Sequence, residues 1–384
     1  MPLICLLQFM TCFYYDLWIV SSILCVCMLL FSSFGEMIAY IFFFQMFSTF
    51  GHFSVISIFA SVIIILIRYI VGIIRKTEKF YVFPFVLTTI ICVIYSSFNY
   101  GVDSSGIYQG WSLIATLYII YLAFVYRRYI DFQKIFEFLM YGIITTACLS
   151  CVSMLIEHGF SEFFDNFARI KLYTKNANSL AIYCSLSLSY FTYAFLNGKG
   201  TITKNLIFSI IAIAFGFATK SKSFLIVCIV ILLYLLIMLI KKYKINSIKI
   251  ILIILSVLSI VCFIFREDLQ YTFSRFTVTY SSSSLVNNIT TGRYDIWLLY
   301  RDHIISSIQQ LLFGVGFFSK RIAPNGPHSL FIHLIYRTGL VGLILIGILL
   351  YSYFKSLGSK FQLRMKSFLP IFIFLLIGCV ESFL

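Results

Sequence analysis

The chain has 384 residues, of which 61% are hydrophobic and 11% are charged, and its formal net charge is +15. Soluble globular domains carry about a quarter charged residues, so this composition excludes an ordinary soluble enzyme. It predicts an all-α, polytopic integral membrane protein. The basic residues lie mostly in short loops between apolar runs, so the positive charge indicates membrane topology rather than nucleic-acid binding.

Apolar runs of about 20 residues, long enough to cross a bilayer, recur along the chain. We predict about twelve transmembrane helices, with about eleven as the alternative because Asp16 and Glu36 interrupt the first apolar stretch. That stretch lacks a basic start and a cleavage site, so we expect it to be retained. The last span reaches Leu384, where we expect a complete or partial helix. The predicted spans are 17–35, 36–50, 54–74, 81–98, 111–125, 136–156, 178–196, 203–219, 222–240, 247–265, 329–351 and 367–384.

All 11 cysteines lie in apolar stretches, and their spacing fits neither a disulfide framework nor a set of metal ligands. We interpret them as small hydrophobic residues. The sequence contains no HExxH motif and no GxSxG elbow, so we expect no metal site and no serine hydrolase site.

The short loops also indicate an orientation, because every second loop is basic. The positive-inside rule places these basic loops in the cytoplasm and the alternate loops, including the long polar interval 266–328, on the outer face. We therefore predict one membrane domain over 1–384, made of a first bundle (1–265), an outer loop with the candidate active site (266–328), and two last helices (329–384). The basic loops contain Arg75, Lys76, Lys79, Arg127, Arg128, Lys134, Lys199, Lys204, Lys241, Lys242, Lys244, Lys249, Lys355, Lys360, Arg364 and Lys366.

Positive charge on the outer side runs against this rule and needs a reason. Lys220 and Lys222 lie in one tight outer turn, TKSK, and Arg169 and Lys175 lie in the outer segment 157–177. Two lysines in so short a turn indicate that an anionic group, such as a phosphate, is held there. The alternative is that both lysines reach toward lipid headgroups.

Within the long interval, apolar residues recur at helical spacing over 293–312, which predicts an amphipathic helix capped by Thr291. Arg293 would lie in its first turn, where its guanidinium and the free backbone N–H groups favour an anion. The alternative is a local ion pair of Arg293 with Asp295 or Asp302. We interpret Gly314 and Gly316 as a turn.

The next helix is predicted to begin at His328, with Pro327 in its first turn. The positive end of the helix dipole favours a neutral imidazole, the form that accepts a proton. His333 and Arg337 are four residues apart and share one face of this helix. Ionisable groups at this depth usually face a bundle interior or a cavity, although His333 fits a structural role equally well.

Five motifs share an order and a predicted outer placement. They are KNANSLA (Lys175 to Ala181), ATKSKSFLI (Ala218 to Ile226), TGRYDIW (Thr291 to Trp297), LLFGVGF (Leu311 to Phe317) and NGPHSLFIHLIYRTGLVG (Asn325 to Gly342). Together they resemble the O-antigen polymerase and O-antigen ligase superfamily of bacterial surface-polysaccharide assembly. The resemblance covers about Arg169 to Gly347.

The resemblance implies a metal-independent glycosyltransferase without a cofactor and with a GT-C-like membrane fold. It implies action on undecaprenyl-diphosphate-linked oligosaccharides at the outer face of the bacterial inner membrane, with a chain-length regulator and a flippase as candidate partners. The implied functional residues fall on Arg293, Lys222 and His328. Two departures stand out: Lys222 replaces the arginine that is usual in the turn, and Ser329 replaces the asparagine that commonly follows the histidine.

A lipid diphosphate is already a good leaving group, so such an enzyme needs cations to hold it and one base to activate the acceptor hydroxyl. We assign the base to His328. We assign the diphosphate to Lys220, Lys222, Arg293 and Arg337, and further substrate contacts to Arg169, Lys175, Asn178 and His333.

Four functions stay open at this point, one of which is a shape-related glycan synthase with a similar number of spans. A polymerase, which extends the growing glycan, is favoured by the basic and aromatic-rich composition. A ligase, which transfers finished glycan to a lipid A core, shares the motifs. A flippase for lipid-linked sugars is less consistent with the sequence, because such transporters tend to show internal repeats and charges at mid-membrane depth.

Overall fold

The computed structural model describes residues 18–47, 130–162, 177–243, 293–316 and 326–356, together with scattered single positions. Within those residues the secondary structure is helical, without strands. In chain order the helices are α1 (Trp18–Phe31), α2 (Phe34–Gln45), α3 (Phe132–Glu162), α4 (Ala177–Leu196), α5 (Ile202–Ala218), α6 (Lys222–Tyr243), α7 (Arg293–Ile304), α8 (Ile308–Phe313) and α9 (Leu330–Ser356).

Seven predicted spans correspond to described helices: 17–35 to α1, 36–50 to α2, 136–156 to α3, 178–196 to α4, 203–219 to α5, 222–240 to α6 and 329–351 to α9. By length and composition, Phe132–Val152 and Ala177–Leu196 are apolar enough to cross a membrane, and shorter apolar stretches lie in α1, α2, α5, α6 and α9. The predicted spans 54–74, 81–98, 111–125, 247–265 and 367–384 lie largely or wholly outside the described residues. The count of about twelve and the domain boundaries stay predictions.

The described helices fall into two units, α1–α6 and α7–α9. In the first unit, α4 is the central helix and packs on α3, α5 and α6, while α2 packs on α3. Aromatic rings fill these contacts: Phe136 stacks on Tyr190 with 4.4 Å between ring centroids, and Phe191 packs on Phe208. Two hydroxyl groups in α4 bond back to its own carbonyls: Ser185 donates to Ala181 O at 2.7 Å and Ser189 donates to Leu186 O at 2.8 Å. These bonds let a helix with several buried hydroxyls pack in an apolar bundle.

Charged residues join the helix ends at one side of the first unit. Lys134 Nζ lies 2.8 Å from Glu36 Oε1, and Lys204 Nζ lies 2.6 Å from Glu137 Oε2. Asp131 accepts a hydrogen bond from the backbone N–H of Gln133 and so caps α3. The alternation of basic loops predicts that the start of α3 and the start of α5 share one membrane side. The contacts are consistent with that grouping.

The second unit is formed by α7 and α8 packing on α9. Its core contains Tyr300 and Ile304 from α7, Val315 from the turn after α8, and Tyr336 from α9. The rings of Tyr300 and Tyr336 meet edge to face, with centroids 4.9 Å apart. This geometry is favourable for aromatic pairs, and it fixes the C-terminal half of α7 against α9.

Candidate functional site

The segment before α9 holds His328 outside the helix. Its φ is +49°, in the left-handed region that a right-handed helix excludes. The carbonyl of Ser329 accepts the first helical hydrogen bond, from His333 N–H at 3.0 Å, and α9 begins at Leu330. The prediction that the helix begins at His328 is therefore wrong by two residues. The half-buried His328 side chain stands beside the helix N-terminus rather than within its first turn.

A hydrogen bond from Trp297 connects α7 to this segment. The indole Nε1–H of Trp297 donates to the carbonyl of Pro327 at 2.7 Å. Three residues further along α7, Tyr300 contacts Tyr336, about two turns into α9. The two contacts give α7 and α9 the same direction, so the N-terminus of α7 lies toward His328. Arg293 is the first residue of α7, one turn before Trp297 and on the same face of the helix.

The predicted amphipathic helix over 293–312 is two helices. It breaks at 305–307, and the Ser307 hydroxyl caps α8 by accepting a hydrogen bond from the N–H of Gln310. Hydrophobic spacing continues through the break from Ile304 to Ile308, which is why periodicity alone predicted one helix. In the first of the two helices, Asp302 pairs with its neighbour Arg301 at 2.7 Å on the surface.

Two glycine segments explain how the LLFGVGF and YRTG motifs meet. Gly314 and Gly316 have φ values of +71° and +82°, which confirms the predicted turn. Gly339 has φ +63° and kinks α9. A Cβ atom on Gly314 would lie 2.5 Å from the carbonyl carbon of Arg337, and one on Gly339 would lie 2.3 Å from that of Leu312. Only glycine allows the two backbones to approach this closely.

His333 and Arg337 are both buried in α9, with exposures of 7% and 1%. Arg337 Nη1 donates a hydrogen bond to the carbonyl of Gly316 at 3.0 Å. A buried guanidinium is costly unless it is hydrogen-bonded, and this bond across 21 residues in sequence meets part of that need. The predicted role of Arg337 in binding the diphosphate stays a prediction, alongside this observed contact with the turn.

The lysine turn is in the first unit, between α5 and α6. Lys220 has φ +51° and bonds through its backbone N–H to Phe217 O at 2.8 Å, while Thr219 and Ser221 are buried. Lys222 is the first residue of α6, and both lysine side chains are partly exposed. The turn is therefore ordered by its short hydroxyl residues and leaves the two cations at its surface.

The structure describes one of the three remaining predicted substrate contacts. Asn178 is half-buried in the first turn of α4, at the same end of the first unit as the lysine turn, because α5 runs antiparallel to α4 and α6. Arg169 and Lys175 lie outside the described residues. The structure thus groups Asn178, Lys220 and Lys222 in one unit, and Arg293, His328, His333 and Arg337 in the other.

Comparison with known proteins adds one decisive observation. Residues 207–347 match the family model described as O-antigen ligase. This match covers less than half of the chain and supports the resemblance to the O-antigen polymerase and ligase superfamily. No curated protein and no solved structure matches the chain. Members of this superfamily are membrane-associated, glycosyltransferase-like enzymes that act on lipid-linked oligosaccharides.

The superfamily match contains most of the candidate residues. It begins within α5 and ends within α9, so it covers the lysine turn, α6, α7, α8 and the kink at Gly339. Asn178, Arg169 and Lys175 lie before it. The match supports polymerase and ligase equally, and it assigns no role to a single residue.

The sequence did not indicate a special position for His303, which lies in α7 within the matched segment. Its ring meets the ring of Tyr336 edge to face, with centroids 5.6 Å apart, and its Nδ1 is buried without a hydrogen-bond partner among the described residues. It follows Tyr300 by three residues, so both face α9. That spacing was the available signal, but it resembles ordinary core packing.

Proposed function

We propose that this protein is an O-antigen polymerase of the bacterial inner membrane. It transfers a growing glycan from undecaprenyl diphosphate to the non-reducing end of the next lipid-linked repeat unit, on the periplasmic face. The observation that supports the proposal is the Trp297–Pro327 hydrogen bond, which joins the helix that begins at Arg293 to the segment that contains His328. A cation and a base are thereby available on one unit, as a transfer from a lipid diphosphate requires.

In the proposed reaction His328 accepts the proton of the acceptor hydroxyl. The hydroxyl oxygen forms a bond to the anomeric carbon of the growing glycan, and the bond from that carbon to the diphosphate oxygen breaks. The leaving lipid diphosphate keeps the electron pair of the broken bond and needs no proton donor. Arg293 holds its charge through bidentate hydrogen bonds, which a guanidinium provides and an ammonium does not.

The other predicted contacts extend this proposal from the sequence. We assign Lys220 and Lys222 to the diphosphate as additional cations, and Arg169, Lys175, Asn178 and His333 to further substrate contacts. The proposal requires no metal and no cofactor for the step, since the diphosphate leaves as a stable anion. A chain-length regulator and a flippase are the proposed partners in the membrane.

A ligase is the second candidate, because the matching family model is described as O-antigen ligase. In that case the acceptor hydroxyl belongs to the lipid A core instead of a lipid-linked repeat unit. The same base and the same cation would serve both reactions. The two functions therefore differ in the acceptor and not in the proposed chemistry.

The test is a gel of surface polysaccharide from a strain that lacks the gene, restored with the native sequence, His328→Ala, Arg293→Ala or Arg301→Ala. Arg301 is the matched control because it is exposed and pairs with Asp302 on the same helix. A core carrying one repeat unit, with the ladder restored by the native and Arg301→Ala forms alone, supports the polymerase. Membrane abundance of each variant is measured by immunoblot.

Other outcomes separate the alternatives. Polymer stranded on the carrier lipid beside bare core identifies a ligase. Lipid-linked repeat units retained on the cytoplasmic side, without polymer, identify a flippase. A ladder that is unchanged in the deletion strain contradicts both transferase functions.

A further inference from the structure

The turn after α8 is bonded to the backbone of α9 just before its kink. Val315 N–H donates to Tyr336 O and Gly316 N–H donates to Arg337 O, each at 2.9 Å. These carbonyls precede Gly339 by three and two residues, where the chain leaves the regular helical path. Carbonyls in the last turn before such a break lack an N–H donor within the helix, so they accept hydrogen bonds from elsewhere. The turn supplies the donors. We call these four residues, Val315, Gly316, Tyr336 and Arg337, the backbone clasp.

Arg337 contributes to the backbone clasp from both its main chain and its side chain. Its carbonyl accepts from Gly316 N–H, and its Nη1 donates to Gly316 O at 3.0 Å. The two bonds therefore satisfy both the backbone N–H and the backbone carbonyl of Gly316. With 1% exposure, the guanidinium makes this contact away from solvent, where a charge-assisted hydrogen bond is stronger than at a surface.

The backbone clasp and the Trp297–Pro327 bond hold the same stretch of chain at two places. Between them, Tyr300 and Ile304 pack with Val315 and Tyr336 in a buried cluster. A segment held at both ends and packed in the middle has little freedom to rotate on α9. Arg293 is the first residue of this segment, one turn before Trp297, so both attachments contribute to its position.

We propose that Arg337 is a positioning residue, which closes the backbone clasp and thereby fixes the segment 293–316, with Arg293 at its tip, on the start of α9. This role differs from direct binding of the diphosphate. Its structural part is independent of the reaction, whereas its effect on catalysis rests on the proposed function. The experiment below therefore measures the two parts separately.

The structural part is tested by amide hydrogen exchange on the full-length protein in detergent. Arg337→Met removes the donor but keeps an unbranched side chain, and we expect exchange at Val315 and Gly316 to become about tenfold faster. Arg337→Lys, which keeps a cation and a donor, should give a smaller increase. Arg301→Met, the same change at an exposed arginine of this unit, should leave both amides at native rates.

A second variant disrupts the backbone clasp at the turn after α8. Gly314→Ala places a Cβ atom against the carbonyl of Arg337 without altering Arg337 itself. We expect the same faster exchange at Val315 and Gly316. If Arg337→Met does not accumulate, Gly314→Ala and Arg337→Lys together provide the test. Native exchange rates at Val315 and Gly316 in these variants would overturn the proposal.

The catalytic part is tested by steady-state transfer from a purified lipid-linked repeat unit. Arg337→Met should lower kcat by about tenfold to a hundredfold through misplacement of Arg293, with KM for the donor lipid changed by less than about threefold. A raised KM with unchanged kcat and unchanged exchange would make Arg337 a direct substrate contact and overturn the positioning role. Faster exchange in the variant, with no transfer by the native protein, would leave the backbone clasp standing and reject the proposed function.

Discussion

Trp297 and Pro327 are 30 residues apart in sequence, yet the indole N–H of Trp297 lies 2.7 Å from the carbonyl oxygen of Pro327. The bond joins the TGRYDIW and NGPHS motifs directly. Pro327 is buried, so its carbonyl would be costly to leave without a donor. The contact therefore holds two motifs together that share no local structure.

Removing this donor is the first prediction. Trp297→Phe keeps an aromatic ring but leaves the Pro327 carbonyl without this donor, which costs about 1–3 kcal/mol. We expect glycan transfer to fall about tenfold while the protein still accumulates in the membrane, measured by polysaccharide gel and immunoblot. The matched control is Trp18→Phe at the start of α1, in the other unit. Equal transfer by Trp297→Phe and the native protein would show that the bond does not position the site.

The backbone of His328 gives a second prediction, which separates its conformation from its imidazole. Because φ is +49°, His328→Gly relieves backbone strain and should preserve or raise the free energy of unfolding, by up to about 1 kcal/mol. The same variant lacks the proposed base, so polymer should be absent. Thermal unfolding and a polysaccharide gel provide the two readouts. A stable His328→Gly protein that still makes polymer would remove His328 from the proposed mechanism.

The kink of α9 gives a third prediction with a control in the same helix. Gly339→Ala introduces a Cβ atom 2.3 Å from the carbonyl carbon of Leu312 at a φ of +63°, and we expect a loss of about 1–3 kcal/mol in unfolding free energy. Gly347→Ala meets no atom within 4 Å, so we expect it to be neutral or stabilising by up to about 1 kcal/mol. Thermal unfolding in detergent measures both. Equal midpoints for the two variants would contradict the close approach at Gly339.

The two ion pairs of the first unit should differ in strength. Glu137 is 15% exposed and Lys204 is 36% exposed, whereas Glu36 and Lys134 are 37% and 40% exposed. Solvent screens the more exposed pair, so a double-mutant cycle should give about 0.2–0.5 kcal/mol for Glu36–Lys134. For Glu137–Lys204 it should give about 1 kcal/mol or more. Glu→Gln and Lys→Met substitutions provide the cycles, and a reversed order would contradict the argument from exposure.

The sequence predicted the long regular elements well, because apolar runs and basic loops are local signals. Helices α4, α5 and α6 begin within about two residues of the predicted spans 178–196, 203–219 and 222–240. The turn at Gly314 and Gly316 was also predicted correctly, since two nearby glycines are a local signal for positive φ.

The site was harder to predict because its geometry depends on distant contacts. Proline before a histidine suggested a helix start, but the left-handed backbone of His328 delays that start to Leu330. The single amphipathic helix was wrong because Ser307 caps a new helix where the apolar spacing continues. Nothing near Arg337 in sequence indicates that its guanidinium donates to Gly316, and His303 looked like any core residue. The roles assigned to these residues stay predictions.

The close packing below the lysine turn limits how that turn can move. Phe224 occupies the space where a side chain of Gly216 would be, and the Thr219 hydroxyl donates to Gly216 O at 2.6 Å. A hairpin joined this tightly moves as one body, so Lys220 and Lys222 cannot open and close like a lid. The backbone positions from which the two lysine side chains extend are therefore fixed by packing, so any ordering on binding would be confined to the side chains themselves.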